Sequence, residues 1–165
     1  MIHSLVKIIT VDGFFTKEQA DELTAITYNL QFDETEFGKE IPNFNLIQPD
    51  FNKHASIIFN TTIKVDENRS GFFRIPKQFI HFEGFDSLNE WIFVVALQKS
   101  IFNVFEHKSG SANALQGYKY EYNNLFEWDL TINYEIQPGQ GVMFRPWLFH
   151  SFNTGLLQTF RITEK

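Results

Sequence analysis

From Ala55 onward, runs of β-branched and aromatic residues alternate with short clusters of turn formers. The runs are "ASIIFNTTIKV" (55–65), "KQFIHFE" (77–83), "EWIFVVALQ" (90–98), "IFNVFEH" (101–107), "GYKYEY" (117–122), "WDLTINYEI" (128–136), "GVMFR" (141–145), "LFHSF" (148–152) and "LQTFRIT" (157–163). Each reads as a strand, and the clusters between them, "DENRSG", "EGFD", "HKSGSAN", "PGQG" and "NTG", read as turns. Upstream, the helical period appears once. In "FFTKEQADELTAITYNL" Thr16 and Gln19 form a capping box, and Ala20, Leu23, Ile26 or Thr27, and Leu30 make one apolar stripe. Residues 32–52 show neither period and carry Pro42 and Pro49, which predicts a long ordered loop or lid.

Many short strands, one early helix and no βαβ alternation predict a mainly β chain. The expected architecture is an antiparallel barrel or jelly roll with the N-terminal helix packed outside, as one domain over residues 1–165. Composition sharpens this: the chain holds 20 phenylalanines, so the core is expected to be flat rings between sheets rather than a leucine seam. With no cysteine, thiolate metal sites and cysteine nucleophiles are excluded, and any metal must be held by His, Asp or Glu. A formal charge of −6 without a basic cluster argues against nucleic acid as the main partner. No leader and no run of the ~20 apolar residues that cross a membrane is visible, so a cytoplasmic protein without a membrane association is expected.

The five histidines differ in context. His3 lies at the terminus, His54 beside Lys53, and His107 in "FEHKSG", where a solvated ring is expected. His81 and Glu83 stand two apart in a strand, so both side chains project from one face and Phe82 from the other. His150 follows 69 residues later, after a Pro-Gly turn and an apolar strand. Together His81, Glu83 and His150 supply a 2-His-1-carboxylate triad, which suits non-haem Fe(II) because three coordination positions stay open for a chelating cosubstrate and dioxygen. Phe82, Trp91, Phe93, Phe144, Trp147 and Phe149 are near enough in sequence to wall such a site.

These residues resemble the pattern of the 2-oxoglutarate and Fe(II)-dependent dioxygenases, H-x-D/E, a long gap, then H. "IQPGQGVMFRPWLFHSFNTG" is similar to the segment that presents their distal histidine, matched here by His150, and "VDGFFTKEQADEL" resembles the leading strand and helix of the prolyl-hydroxylase branch. The resemblance implies a double-stranded β-helix (cupin-like) and hydroxylation of a small molecule or peptidyl side chain, with 2-oxoglutarate and O2 consumed and succinate and CO2 released. Glutamate at position 83 replaces the commoner aspartate, as in the JmjC-type branch.

Two cations compete for the cosubstrate's distal carboxylate. Arg161 and Thr163 share a strand face eleven residues beyond His150, and Arg161-Ile162-Thr163 is similar to the family's R-x-S motif. Lys99, eighteen residues after His81, resembles the lysine that serves in JmjC-type and cupin-like hydroxylases. Arg161 is the preferred assignment. Two other readings stay open: a cupin-like metal-dependent isomerase or small-molecule binder, and a non-catalytic β-sandwich module in which His81 and His150 never meet.

Overall fold

Thr16 starts the first helix as its sequence requires. Its hydroxyl accepts the Gln19 N–H at 3.2 Å and the Gln19 side chain accepts the Thr16 N–H at 2.9 Å, so two otherwise orphaned donors are satisfied. The computed structural model describes residues 8–35, 38–42, 51–75, 80–82, 89–109, 120–122, 124–153 and 155–164. Its elements are β1 (Ile9–Val11), α1 (Lys17–Thr27), β2 (Asp33–Thr35), β3 (Gly38–Pro42), α2 (Phe51–Phe59), β4 (Ile63–Ile75), β5 (Glu90–Ala96), β6 (Ser100–His107), β7 (Trp128–Ile136), β8 (Gly141–Phe144), β9 (His150–Phe152) and β10 (Gly155–Glu164).

Two antiparallel sheets face each other. The major sheet runs β1-β8-β5-β10-β4-β3-β2 and the minor sheet β7-β6-β9, with His81 bridged to the free side of β9. Period-two alternation gives the major sheet two different faces. One carries Trp91, Phe93 and Val95 of β5 with Phe160 and Ile162 of β10, and is covered by Ala20 of α1 and by Phe51 and Ala55 of α2. The other carries Ile92, Val94, Val142, Phe144 and Leu157, which meet Phe102, Val104, Ile136 and Phe152 of the minor sheet. Rings fill both layers, as the composition implies. Phe14 meets Phe93 edge-on at 4.7 Å outside, and Phe102 stacks on Phe144 at 5.0 Å between the sheets. Each such fully buried ring contributes roughly 2–3 kcal/mol of hydrophobic stabilisation.

The mainly β architecture with an outer N-terminal helix matches the sequence reading, and so do β5 to β10. Four local expectations are corrected. The first half of "ASIIFNTTIKV" is helical: Phe51, Ala55 and Phe59 recur every four residues and seat α2 on the sheet, while the β-branched Ile57, which suggested a strand, faces solvent. Ser56 Oγ and Asn52 Oδ1 then accept the N–H groups of Ile63 and Val65, tying α2 to the start of β4.

"DENRSG" is no turn but an irregularity within β4, where the register with β10 shifts between Thr159 and Arg161. Ser70 closes it, donating to the Asp66 carbonyl at 2.7 Å and accepting the Arg161 N–H at 3.2 Å. Residues 33–35 and 38–42, expected in a loop or lid, pair with each other and with β4 and so extend the sheet edge; residues 43–50 lie outside the described residues. Tyr120 and Tyr122, expected on a strand, instead pack their rings on Trp128. The "EGFD" turn also lies outside the described residues. No helix among the described residues is long and apolar enough to cross a membrane.

Candidate metal centre

The "PGQG" turn that leads to His150 depends on glycine. Gly139 has φ +88°, and a Cβ there would lie 2.2 Å from the Phe15 carbonyl oxygen. β8 follows, fully buried, and the Arg145-Pro146-Trp147 turn, closed by a hydrogen bond from Leu148 N–H to the Arg145 carbonyl at 3.1 Å, carries the chain across to the minor sheet. There His150 pairs with Val104 on one side and with His81 on the other. His81 and His150 exchange both backbone N–H···O=C bonds at 3.0 Å, which places their side chains on the same face, ring centroids 4.3 Å apart.

That face is the inner one. His150 is buried against Phe144 at 4.5 Å and Phe152 at 5.9 Å, both members of the layer between the sheets, whereas its neighbour Phe149 packs outside on Trp128 and Phe82. The Leu148 carbonyl lies 2.8 Å from His150 Nδ1; a carbonyl can only accept, so Nδ1 bears the proton and, in the neutral ring, Nε2 carries the lone pair. This is the orientation that a ligand histidine needs. Glu83, the third predicted ligand, lies outside the described residues, and among the described residues no group of three His, Asp or Glu side chains is gathered.

Arg161 comes from the opposite sheet. On β10 it stands across from Ile92, and Thr159 from Val94, so the Thr159, Arg161 and Thr163 face is also the inner one. Arg161 is buried, and its Nε lies 3.5 Å from Oε1 of Glu90, equally buried at the start of β5 and directly across from Thr163. Lys99 is placed elsewhere. Its ammonium bonds Glu135 at 2.9 Å and is 60% exposed; Glu135 stands opposite Ile101, on the face of the minor sheet turned away from Phe102, Val104 and His150. That pair holds the Glu135 carboxyl below its usual range, chiefly through the Lys99 hydrogen bond. The structure therefore brings His81, His150, Arg161 and Thr163 to one enclosed face or its opposite wall, and does not bring Lys99 there.

Of the expected aromatic walls, Phe144 faces the histidines. Trp91 and Phe93 lie on the helix-covered side, and Phe82 and Phe149 on the outside of the minor sheet. Trp91 is instead a platform for Arg145, whose guanidinium carbon lies 3.5 Å from its ring centroid; burial lowers the pKa of that arginine. His107 is not solvated: it is buried against Tyr120 and Trp128, with Nδ1 2.8 Å from the Ser109 hydroxyl. Sequence reasoning missed Glu90. Its only signal was position, since it stands two residues before Ile92 and so on the same strand face. The inner face of the minor sheet continues from His150 through Val104 to Ile132, which is 41% exposed and gives the pair an apolar flank open to solvent.

The eight antiparallel segments of the two facing sheets are ordered β8-β5-β10-β4 against β7-β6-β9 and the His81 segment. This arrangement recurs in solved structures at low sequence identity. HygX from Streptomyces hygroscopicus with nickel, 2-oxoglutarate and hygromycin B bound is 12% identical, with TM-score 0.62 over 96% of this chain and 82% of that one. A 2OG-Fe(II) oxygenase family oxidoreductase from Burkholderia pseudomallei is 10% identical, with TM-score 0.59 over 94% and 84%. The carbocyclase SnoK from nogalamycin biosynthesis is 8% identical, with TM-score 0.63 over 97% and 80%.

The chain has the 2-oxoglutarate/Fe(II) oxygenase fold. In that double-stranded β-helix, His150 lies on β9, His81 on the segment bridged to it and Arg161 on β10. No protein-family model and no curated protein matches the sequence.

Proposed function

We propose that this protein is a 2-oxoglutarate/Fe(II)-dependent oxygenase that hydroxylates a small molecule or a peptidyl side chain. The observation that carries the reading is the His81–His150 pair: two imidazoles side by side on the inner face of an oxygenase fold, one with its tautomer fixed by the Leu148 carbonyl. Neutral imidazole is a good ligand for iron, and a pair fixed by backbone pairing leaves room for a carboxylate and for open positions. Glu83 is the proposed third ligand, two residues beyond His81. Arg161, with Thr163 beside it, would hold the distal carboxylate of 2-oxoglutarate through its planar fork.

Bound iron and 2-oxoglutarate would supply the oxidising chemistry, coupling decarboxylation of the oxo acid by O2 to oxidation of a C–H bond. The chain's own residues orient the ligands and exclude water: Phe144, Phe152 and Val104 surround His150 and keep its end of the site dry. Relatives in fold include an epimerase and a carbocyclase, so hydroxylation is the specific part of the proposal.

Succinate formation tests the reading. Purified protein with Fe(II), ascorbate, 2-oxoglutarate and O2 is expected to release succinate, at least in the slow uncoupled reaction, and His150→Ala is expected to release none. Absence of succinate from the wild-type protein over a range of candidate substrates would contradict it and favour the cupin-like isomerase or binder.

A further inference from the structure

The cation assigned to the cosubstrate already has a carboxylate beside it. Arg161 lies between two acids on the inner face of the major sheet: Asp66, directly across on β4, and Glu90, diagonally across on β5 with Oε1 3.5 Å from Nε. The Arg161 and Glu90 side chains are both more than nine-tenths buried. Lys64, two residues before Asp66 on the same face of β4 and across from Thr163, is exposed to solvent. Arg145 turns to the outer face, where it donates to the Glu90 backbone carbonyl at 3.0 Å, stacks on Trp91 and lies 4.0 Å from Glu164.

An N···O separation of 3.5 Å is longer than a good charge-assisted hydrogen bond. The Nε···Oε1 contact is thus an ion pair between two buried charged groups. A guanidinium offers five N–H groups and can take a second carboxylate on another edge. In a desolvated pocket the two acids would then stand a few ångströms apart, and the repulsion of like charges is strong there.

We propose that Glu90 is an internal competitor for the cosubstrate: it occupies Arg161 in the resting protein and must swing aside or share the guanidinium when the distal carboxylate of a 2-oxo diacid arrives. This rests on the oxygenase reading and adds to it a residue that sets cosubstrate affinity. Glu90 weakens binding while it keeps Arg161 aligned and its charge compensated in the empty site, since a buried unpaired guanidinium is costly. Occupancy would accordingly respond to the cellular concentration of the 2-oxo acid rather than saturate early.

The test is calorimetric titration of 2-oxoglutarate into protein loaded with Mn(II), which reads binding without turnover. Glu90→Gln keeps shape and removes the charge, and is expected to bind 2-oxoglutarate about tenfold more tightly than wild type. Glu90→Asp keeps the charge and is expected to bind like wild type, with thermal melting reporting whether each variant is folded. Equal or weaker binding by a folded Glu90→Gln, with wild type binding normally, overturns the competitor role and leaves the oxygenase reading standing. If neither protein binds 2-oxoglutarate, the oxygenase reading fails and this inference fails with it. Should Glu90→Gln not fold, the Glu90→Ala variant answers the same question, with tighter binding again expected.

Discussion

His81 and His150 exchange backbone hydrogen bonds in both directions at 3.0 Å, so the pairing of their imidazoles is set by main chain rather than by the rings themselves. Removing one ring therefore takes away a proposed ligand and leaves the strand pairing in place. His81→Ala is expected to weaken Fe(II) or Mn(II) binding by more than ~100-fold, since even residues that merely orient ligands cost 10–100-fold. Calorimetry measures the loss, and an unchanged melting curve shows that the loss is local.

The two cations should separate cleanly. Arg161→Met is expected to weaken 2-oxoglutarate binding to the Mn(II)-loaded protein by ~100-fold or more, because the proposed charge-assisted bidentate contact would be lost in a buried site. Lys99→Ala is expected to leave that affinity within about twofold and to change stability by less than ~1 kcal/mol, as exposed ion pairs do. The reverse ranking would return the cosubstrate to Lys99.

How much of this was legible in the sequence varies with the kind of signal. Trp128–Ile136 was readable from its apolar-polar alternation in sequence, and Glu90–Ala96 from an unbroken run of β-branched and aromatic residues that is buried on both faces. The His81 and His150 pairing was legible only as a conjunction of motifs. α2 was not readable as a helix, because Ile57 and Ile58 match a strand in local propensity and the spacing of Phe51, Ala55 and Phe59 becomes decisive only once a sheet lies beneath. The β4 irregularity was hidden for a related reason: a Ser70 side chain, rather than the turn-like composition of "DENRSG", decides that the chain carries on as a strand. That Arg161 and Lys99 take different faces needed the third dimension, since sequence distance from a histidine does not reveal which sheet face a side chain takes.

Gly139 should not tolerate a side chain. Its positive φ and a Cβ position 2.2 Å from the Phe15 carbonyl oxygen give Gly139→Ala two penalties, and the Phe15 N–H bond to the Gly139 carbonyl at 3.1 Å resists relaxation. A loss of roughly 2–3 kcal/mol in urea unfolding is expected, with the turn that leads to β8 and His150 loosened.

Gln158 is the opposite case. It is 1% exposed on the helix-covered face, across from Val95 and Phe72, and neither side-chain amide atom has a hydrogen-bond partner among the described residues. A buried amide without partners costs about 1–3 kcal/mol. Gln158→Met, of similar length, is expected to raise stability by roughly 1 kcal/mol or more without affecting metal binding, measured by thermal and urea unfolding.

The most direct test of the central claim is anaerobic titration of the protein with Fe(II) and then 2-oxoglutarate, followed by visible absorption. A weak charge-transfer band that appears only with both components, and is lost in His150→Ala and Glu83→Ala, is the result predicted for an iron chelate held by His81, Glu83 and His150. Wild-type protein that shows no band with both components present would contradict the account.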